Sequence, residues 1–230
     1  SNPHYLTGIP NDSKRMNISF EGKRILVTGA EQGIGRAIAL RLSKFGGKVI
    51  ALSLNQKNLD TLSQEDPKIE IITADLRDWN ATRNAVQGAL PIDLLVNNAG
   101  VCILRPFMDA QQEDIDQCFD VNLKAIINVS QITAKSMVDA GKGGSIVNIS
   151  SKSSLCALEN HAVYSSTKAG LDQLMRCVAR EATCSNSPLV KLNSVNPTTV
   201  MTEMGRREWS DPEKVAKMTS KIPLGRFCGD

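Results

Sequence analysis

The chain has 230 residues, of which 41% are hydrophobic and 22% charged, and its formal net charge is +3. These values are typical of one folded globular domain and exclude a largely disordered chain. The basic residues are interspersed with acids, which argues against a nucleic-acid partner, and no apolar run is long enough to span a membrane. Six widely spaced cysteines indicate neither a metal site nor a disulfide framework, so a reduced, cytoplasmic location is the default.

Short β-branched runs alternate with longer helical patterns along the chain. The runs predict six parallel strands, at residues 24–28, 48–53, 69–73, 94–97, 145–150 and 190–195. Helices are predicted at 34–45, 111–140 and 162–181, and the long second one is expected to pack on the sheet through a stripe of Ile115, Phe119, Leu123, Ile126 and Ile127. The alternation predicts a single-domain α/β fold, a Rossmann-type doubly wound parallel sheet with helices on both faces.

A glycine-rich turn, TGAEQGIG at residues 28–35, follows the first predicted strand and opens the first helix. Without a Cβ, its glycines let backbone amides approach a pyrophosphate at the positive end of the helix. A plain tight turn is the alternative explanation, but the order of strand, turn and helix favours dinucleotide binding.

Tyr164 and Lys168 stand four residues apart in the segment YSSTK. On a helix this spacing places the phenol and the ammonium group on one face, where the cation is expected to stabilise a phenolate. A tyrosine placed in this way is a candidate proton donor. Ser151 and Asn122 are further candidates, although each of the four residues taken alone has an ordinary structural explanation.

These motifs, together with NNAG at residues 97–100, resemble the short-chain dehydrogenase/reductase family. The resemblance implies hydride transfer between a nicotinamide dinucleotide and a carbonyl or alcohol. In that reading Tyr164 is the general acid in reduction, and Lys168 supplies its charge and binds the nicotinamide ribose. Ser151 hydrogen-bonds the substrate oxygen, and Asn122 holds a water that relays protons to Lys168.

The resemblance also implies a set of residues that bind the cofactor. Asp75 is expected to contact the adenine, while the backbone near Val200 and the side chain of Thr202 are expected to hold the nicotinamide carboxamide. Besides Tyr164 and Lys168, the implied set is Gly29, Gln32, Gly33, Ile34, Gly35, Ser53, Leu54, Asp75, Leu76, Asn98, Ala99, Gly100, Pro197, Val200 and Thr202.

The residue at the end of the second strand bears on which dinucleotide binds. NAD-using relatives tend to carry an acid there, so Ser53 predicts NADP(H). Gln32 and Leu54, however, stand where basic residues are common, and NAD(H) remains open. Arg36 and Lys57 are either the missing cations or solvated helix residues.

Within the family, the segment NPTTVMT at 196–202, together with His161, Trp209 and IPLGRF at 222–227, resembles the dicarbonyl/L-xylulose reductase subgroup. This implies a small α-dicarbonyl or ketose as substrate. The implied substrate-binding residues are Ser151, His161, Tyr164 and Trp209, with residues 203–221 as a lid.

Two other functions are less consistent with the sequence. A steroid or acyl ketoreductase is disfavoured by the charge of the lid, and a non-catalytic nucleotide-binding scaffold by the intact Ser151, Tyr164 and Lys168. The resemblance also implies a homo-oligomer, either a dimer or a tetramer.

Three segments depart from the family pattern. Residues 1–15 are expected to be an expression tag or a disordered extension, which leaves residues 16–230 as the catalytic domain. The run CSNSP at 184–188 replaces a short basic link. Relatives continue beyond the position of Asp230 through a further strand, which is expected to be missing here from the sheet edge.

Overall fold

The computed structural model describes residues 18–184 and 190–228, and their strands form one parallel sheet. The predictions for residues 1–15 and 185–188 lie outside the described residues. The strand order is β3-β2-β1-β4-β5-β6, which is that of a doubly wound dinucleotide-binding fold. The strands are β1 (Arg24–Thr28), β2 (Lys48–Ser53), β3 (Glu70–Thr73), β4 (Leu94–Asn97), β5 (Gly144–Ile149) and β6 (Val190–Val195).

Helices cover both faces of the sheet, as predicted. On one face Val86, Val129 and Met137 pack on the strands, and on the other Ala39, Leu59 and Leu62 do so. The helices are α1 (Gly33–Lys44), α2 (Gln56–Glu65), α3 (Trp79–Ala89), α4 (Gln112–Phe119), α5 (Ala125–Asp139), α6 (Ala162–Cys184), α7 (Glu203–Glu208) and α8 (Pro212–Thr219).

The helix predicted over 111–140 is present from Gln112 to Asp139, but it is not a regular α-helix throughout. A turn of π-helix, Asp120–Lys124, separates α4 from α5. Because the wider turn rotates the following helix relative to the preceding one, the apolar stripe does not stay on one face. Ile126 is buried at 2% exposure, whereas Ile115 and Phe119 are 37% and 39% exposed. Helix α5 packs on the sheet through other residues, namely Ala125, Val129 and Ile132.

The chain leaves the neighbouring strands β1 and β4 towards opposite faces of the sheet, because α1 packs on one face and α5 on the other. In doubly wound folds this reversal opens a crevice at the carboxyl ends of the strands. The glycine turn follows β1, residues 98–100 follow β4, and Ser151 follows β5. The fold therefore brings the three predicted motifs to one edge.

Across the described ranges, no helix has both the length and the apolar character that crossing a bilayer requires. Within the same ranges, no three potential metal-ligating side chains gather at one place.

Candidate active site

The glycine turn is held between the end of β2 and the segment that follows β4. The Gly29 amide donates to the Leu52 carbonyl at 2.7 Å, and the Asn98 side chain donates to the carbonyls of Thr28 and Gly29 at 3.1 and 2.9 Å. At Gly35 a Cβ would collide with the Gly29 carbonyl. The turn is therefore closed so tightly that Gly35 tolerates no side chain.

The turn leaves the amino end of α1 open for a phosphate. Gln32 is the N-cap residue of this twelve-residue helix, and its side chain makes no capping bond. It therefore does not occupy the first N–H groups of the helix, which are the groups that bind a phosphate in such folds. Thr202 lies beside the turn, since a Cβ at Gly33 would be 3.3 Å from the Thr202 methyl group. These residues fit a dinucleotide that runs from the turn towards the loop after β6.

The residues predicted to bind the adenine and its ribose differ in burial and in their charged neighbours. The Arg77 guanidinium, 2.6 Å from the Asp75 carboxylate, holds the pKa of that carboxyl below its usual value. Leu76 is buried in the core at 9% exposure, while Leu54 is 59% exposed. Ser53 is buried, and its hydroxyl donates to a carboxylate that sequence reasoning did not consider, that of Glu31.

Ser151, Tyr164 and Lys168 are brought together by β5 and α6. Ser151 lies near the Tyr164 hydroxyl and acts to lower the tyrosine pKa, while its own hydroxyl oxygen accepts from the Ser153 amide at 3.1 Å. The Lys168 ammonium lies 5.9 Å from the centre of the Tyr164 ring and donates to the Ile149 carbonyl at 2.8 Å. The predicted trio is thus assembled at the carboxyl edge of the sheet.

Burial shifts both pKa values of this pair in the direction that favours the neutral form. It raises the pKa of Tyr164 to about 12 and lowers that of Lys168 to about 8. Removal from water disfavours both charged forms, and the stabilisation of a phenolate by Lys168 stays a prediction. At neutral pH the tyrosine holds its proton, and most of the lysine is still charged.

Asn122 lies in the π-helical turn and is fully buried. Its side chain accepts from the Val101 amide at 2.8 Å and donates to the Val101 carbonyl at 2.9 Å and the Thr167 hydroxyl at 3.2 Å. Gly100 lies between it and the lysine, since a Cβ there would be 3.3 Å from Asn122 Oδ1 and 3.5 Å from Lys168 Nζ. The Asn122 amide is thus hydrogen-bonded to the backbone of Val101, and its role in a water relay stays a prediction.

A buried carboxylate behind Ser151 was missed in the sequence. Asp172, 7% exposed, accepts from the Ser154 hydroxyl at 2.5 Å and from the Asn196 amide at 2.9 Å. Both donors also reach the Ser151 carbonyl, at 2.8 and 3.1 Å. The signal available in the sequence was its place one helical turn after Lys168, on the face that carries Tyr164.

Asp172→Ala is expected to lower the free energy of unfolding by about 2–3 kcal/mol and kcat by about tenfold or more, because it leaves buried donors unpaired and loosens Ser151. Burial alone would raise the pKa of Asp172, but the hydrogen bonds from Ser154 and Asn196 outweigh it and hold the pKa below its usual value. Its contribution is therefore present above about pH 4 and lost as the pH falls through the lowered pKa.

Urea unfolding and steady-state kinetics measure both effects of the Asp172 substitution. The control is Asp139→Ala, whose carboxylate is 60% exposed on α5 and is expected to change stability by less than about 0.5 kcal/mol. Equal, small changes in the two variants would contradict a positioning role for Asp172.

The predicted substrate residues separate into two places. His161 lies beside the tyrosine, with 6.3 Å between the two ring centres in an edge-on arrangement. Trp209, which follows α7, packs on Phe227 at 5.2 Å, and the Lys214 ammonium lies 5.0 Å from its ring centre. His161 thus joins the catalytic trio, whereas the described ring contacts of Trp209 lie within the C-terminal segment.

The loop after β6 is tied to its surroundings at both ends. The Pro197 carbonyl accepts from the Lys152 amide at 3.0 Å, next to Ser151, and Val200 forms a parallel bridge with Cys228. Thr202 caps α7 through a hydroxyl that accepts from the Gly205 amide at 3.3 Å. The predicted lid over 203–221 begins at this cap and contains α7 and α8.

A doubly wound sheet with a glycine turn after β1 and a serine, a tyrosine and a lysine at the same edge is the arrangement of a nucleotide-dependent oxidoreductase. The family model described as short chain dehydrogenase matches residues 23–213, and the chain belongs to that family.

The relatives of the chain include reductases of small sugars. It is 50% identical over 212 residues to D-erythrulose reductase of Gallus gallus, covering 92% of this chain and 85% of the relative. It is 48% identical over 213 residues to L-xylulose reductase of Mesocricetus auratus, with 93% and 86% covered. A putative NAD(P)-dependent gluconate 5-dehydrogenase from Beutenbergia cavernae, solved with NADP at low occupancy, matches with a TM-score of 0.84 and 30% identity over 92% of this chain and 86% of its own.

Proposed function

We propose that the protein reduces small α-dicarbonyls or ketoses of the L-xylulose type and oxidises the corresponding alcohols in reverse. The observation that carries the proposal is the grouping of Tyr164 with Ser151 and a buried Lys168 at the crevice of the sheet, with the Lys168 ammonium 5.9 Å from the centre of the Tyr164 ring. The imidazole of His161 beside Tyr164 adds a polar group suited to a hydroxylated substrate. The names of the two sugar reductases support this substrate class.

A bound nicotinamide supplies the hydride for carbonyl reduction. Ser151 and Tyr164 donate hydrogen bonds to the substrate oxygen, where negative charge develops. With its pKa raised to about 12, Tyr164 is protonated at neutral pH and gives its proton to that oxygen. The charge of Lys168, held in place by the Ile149 carbonyl, then stabilises the phenolate that remains.

The dinucleotide is NAD(H) or NADP(H), and the sequence predicts the latter. The neutral side chain of Ser53 supports that prediction, as does the NADP in the Beutenbergia structure. The carboxylate of Glu31 acts against it, because it accepts from the Ser53 hydroxyl and would lie beside a 2′-phosphate. The cytoplasmic location and the homo-oligomer stay predictions.

Charged residues on α8 support a small polar substrate over a steroid or acyl chain. Glu213, Lys214 and Lys217 are on this eight-residue helix within the proposed lid, and its described residues include no buried one. A non-catalytic scaffold would have no need for a buried lysine beside a partly buried tyrosine, since burying that charge is costly.

The test is to follow reduced nicotinamide during incubation with diacetyl, L-xylulose and a steroid ketone, using NADH and NADPH separately. We expect turnover of diacetyl and L-xylulose and little of the steroid. His161→Ala is expected to raise KM for L-xylulose more than it lowers kcat, because the imidazole binds substrate without exchanging a proton. Absence of turnover with both dinucleotides, or a preference for the steroid, would contradict the proposal.

A further inference from the structure

An acid from the glycine turn lies at the end of the second strand. Ser53 is the last residue of β2 and is 4% exposed. Its hydroxyl donates to the carboxylate of Glu31, which belongs to the turn after β1. The pairing of β1 with β2, which sets Thr28 opposite Leu52, brings the turn to this position.

In dinucleotide-binding folds, residues at this position bind the adenosine ribose and distinguish NAD from NADP. An acid at the end of the second strand accepts a hydrogen bond from the free 2′-hydroxyl of NAD, whereas a nearby arginine accommodates the 2′-phosphate of NADP. The strand itself provides no acid here, because its last residue is Ser53. Glu31 supplies the carboxylate from the neighbouring turn instead.

The cations on the flanking helices do not offset Glu31. The Arg36 guanidinium lies beside the turn and donates to the Glu31 carbonyl at 3.4 Å, but it also donates to the Glu65 carboxylate at 2.6 Å, so its charge is matched by an acid of α2. Lys57 is exposed in the first turn of α2. The charge in contact with the Ser53 hydroxyl is thus negative, and it would repel a phosphate dianion.

We propose that Glu31 is a specificity-determining residue that accepts a hydrogen bond from the 2′-hydroxyl of NAD(H) and excludes the 2′-phosphate of NADP(H). NAD(H) is then the preferred dinucleotide, which reverses the prediction made from Ser53 alone. The inference rests on the proposed function only in requiring that a nicotinamide dinucleotide binds in the crevice.

Calorimetric titration with NADH and with NADPH tests the inference without any carbonyl substrate. The wild-type protein is expected to bind NADH at least about tenfold more tightly. Glu31→Gln, which keeps the shape of the side chain and removes its charge, is expected to reduce that ratio about tenfold, mainly by strengthening NADPH binding. Ser53→Ala removes the hydroxyl that holds the carboxylate and is expected to shift the ratio in the same direction by less.

The matched control is Glu70→Gln, which removes an equal charge from the first residue of β3, at the opposite end of the sheet, where Glu70 pairs with Arg24. It is expected to leave the affinity ratio unchanged. Tighter binding of NADPH by the wild type, or an unchanged ratio in both Glu31→Gln and Ser53→Ala, would overturn the inference.

The same titrations separate this inference from the proposed function. If NADH is preferred and Glu31→Gln erases the preference while no carbonyl is reduced, the role of Glu31 stands and the proposed activity fails. If diacetyl and L-xylulose are reduced but NADPH binds more tightly, the activity stands and the role of Glu31 fails. If neither dinucleotide binds, both are refuted.

Discussion

A Tyr164→Phe variant is expected to reduce diacetyl with a kcat/KM at least about a thousandfold below that of the wild type, because it loses both the transferred proton and a hydrogen bond to the developing alkoxide. The phenyl ring keeps the volume and the packing of the side chain beside His161. Steady-state rates measure the loss.

Dinucleotide affinity is the internal control for Tyr164→Phe. The calorimetric Kd is expected to change by less than about threefold, since the phenol acts on the substrate oxygen. A variant that reduced diacetyl at the wild-type rate would remove Tyr164 from the mechanism. A variant that lost dinucleotide binding to the same extent as activity would show that the residue serves binding instead.

A Lys168→Met variant is expected to be inactive and yet more stable than the wild type. Burial lowers the pKa of Lys168 from 10.5 to about 8, so holding its proton inside the folded protein costs about 3 kcal/mol at neutral pH. Loss of the bond to the Ile149 carbonyl offsets part of the gain, and a net increase of about 1–3 kcal/mol in the free energy of unfolding is expected.

The pH dependence of unfolding checks the cause of that gain. Between pH 8 and 10.5 the unfolded chain binds more protons than the folded protein, so wild-type stability rises with pH over this interval as the cost of the charge disappears. Lys168→Met is expected to lack this rise. Denaturant unfolding of both proteins at neutral pH and near the upper end of the interval measures it.

Lys135→Met is the control for the lysine substitution, because its side chain is 77% exposed on α5. It is expected to change stability by less than about 0.5 kcal/mol and to leave activity intact. A destabilised Lys168→Met protein, or one with the wild-type pH profile, would contradict the assignment of a costly buried charge. The expected result would show that the protein gives up stability for a charged group at its site.

Local signals account for the parts of the fold that the sequence predicts well. Each strand is a short segment with apolar residues, and the turn at Gly29 and Gly35 is visible in the sequence because only glycine fits there. Tyr164 and Lys168 are linked by helical spacing alone. All these features depend on residues that are close in the chain, which is why the strand bounds agree to within one residue.

The features that the sequence does not predict depend on contacts between distant segments. Glu31 and Ser53 are separated by 22 positions, and their contact arises only when β1 and β2 pair. Asp172 acquires its role because Asn196, the residue after β6, donates a hydrogen bond to it in the folded protein. The π-helical turn at Asn122 is not visible in the sequence, because the apolar residues on both sides of it keep helical spacing and only the folded backbone shows the extra rotation.

The most direct test of the central claim is to follow the hydride itself. NADH and NADPH carrying deuterium at the reactive position of the nicotinamide are incubated with L-xylulose, and the alcohol formed is analysed by mass spectrometry. The wild-type protein is expected to transfer the deuterium to the carbon of the former carbonyl group, and Tyr164→Phe to transfer almost none in the same time. Alcohol without the label, or equal labelling by the two proteins, would contradict hydride transfer assisted by Tyr164.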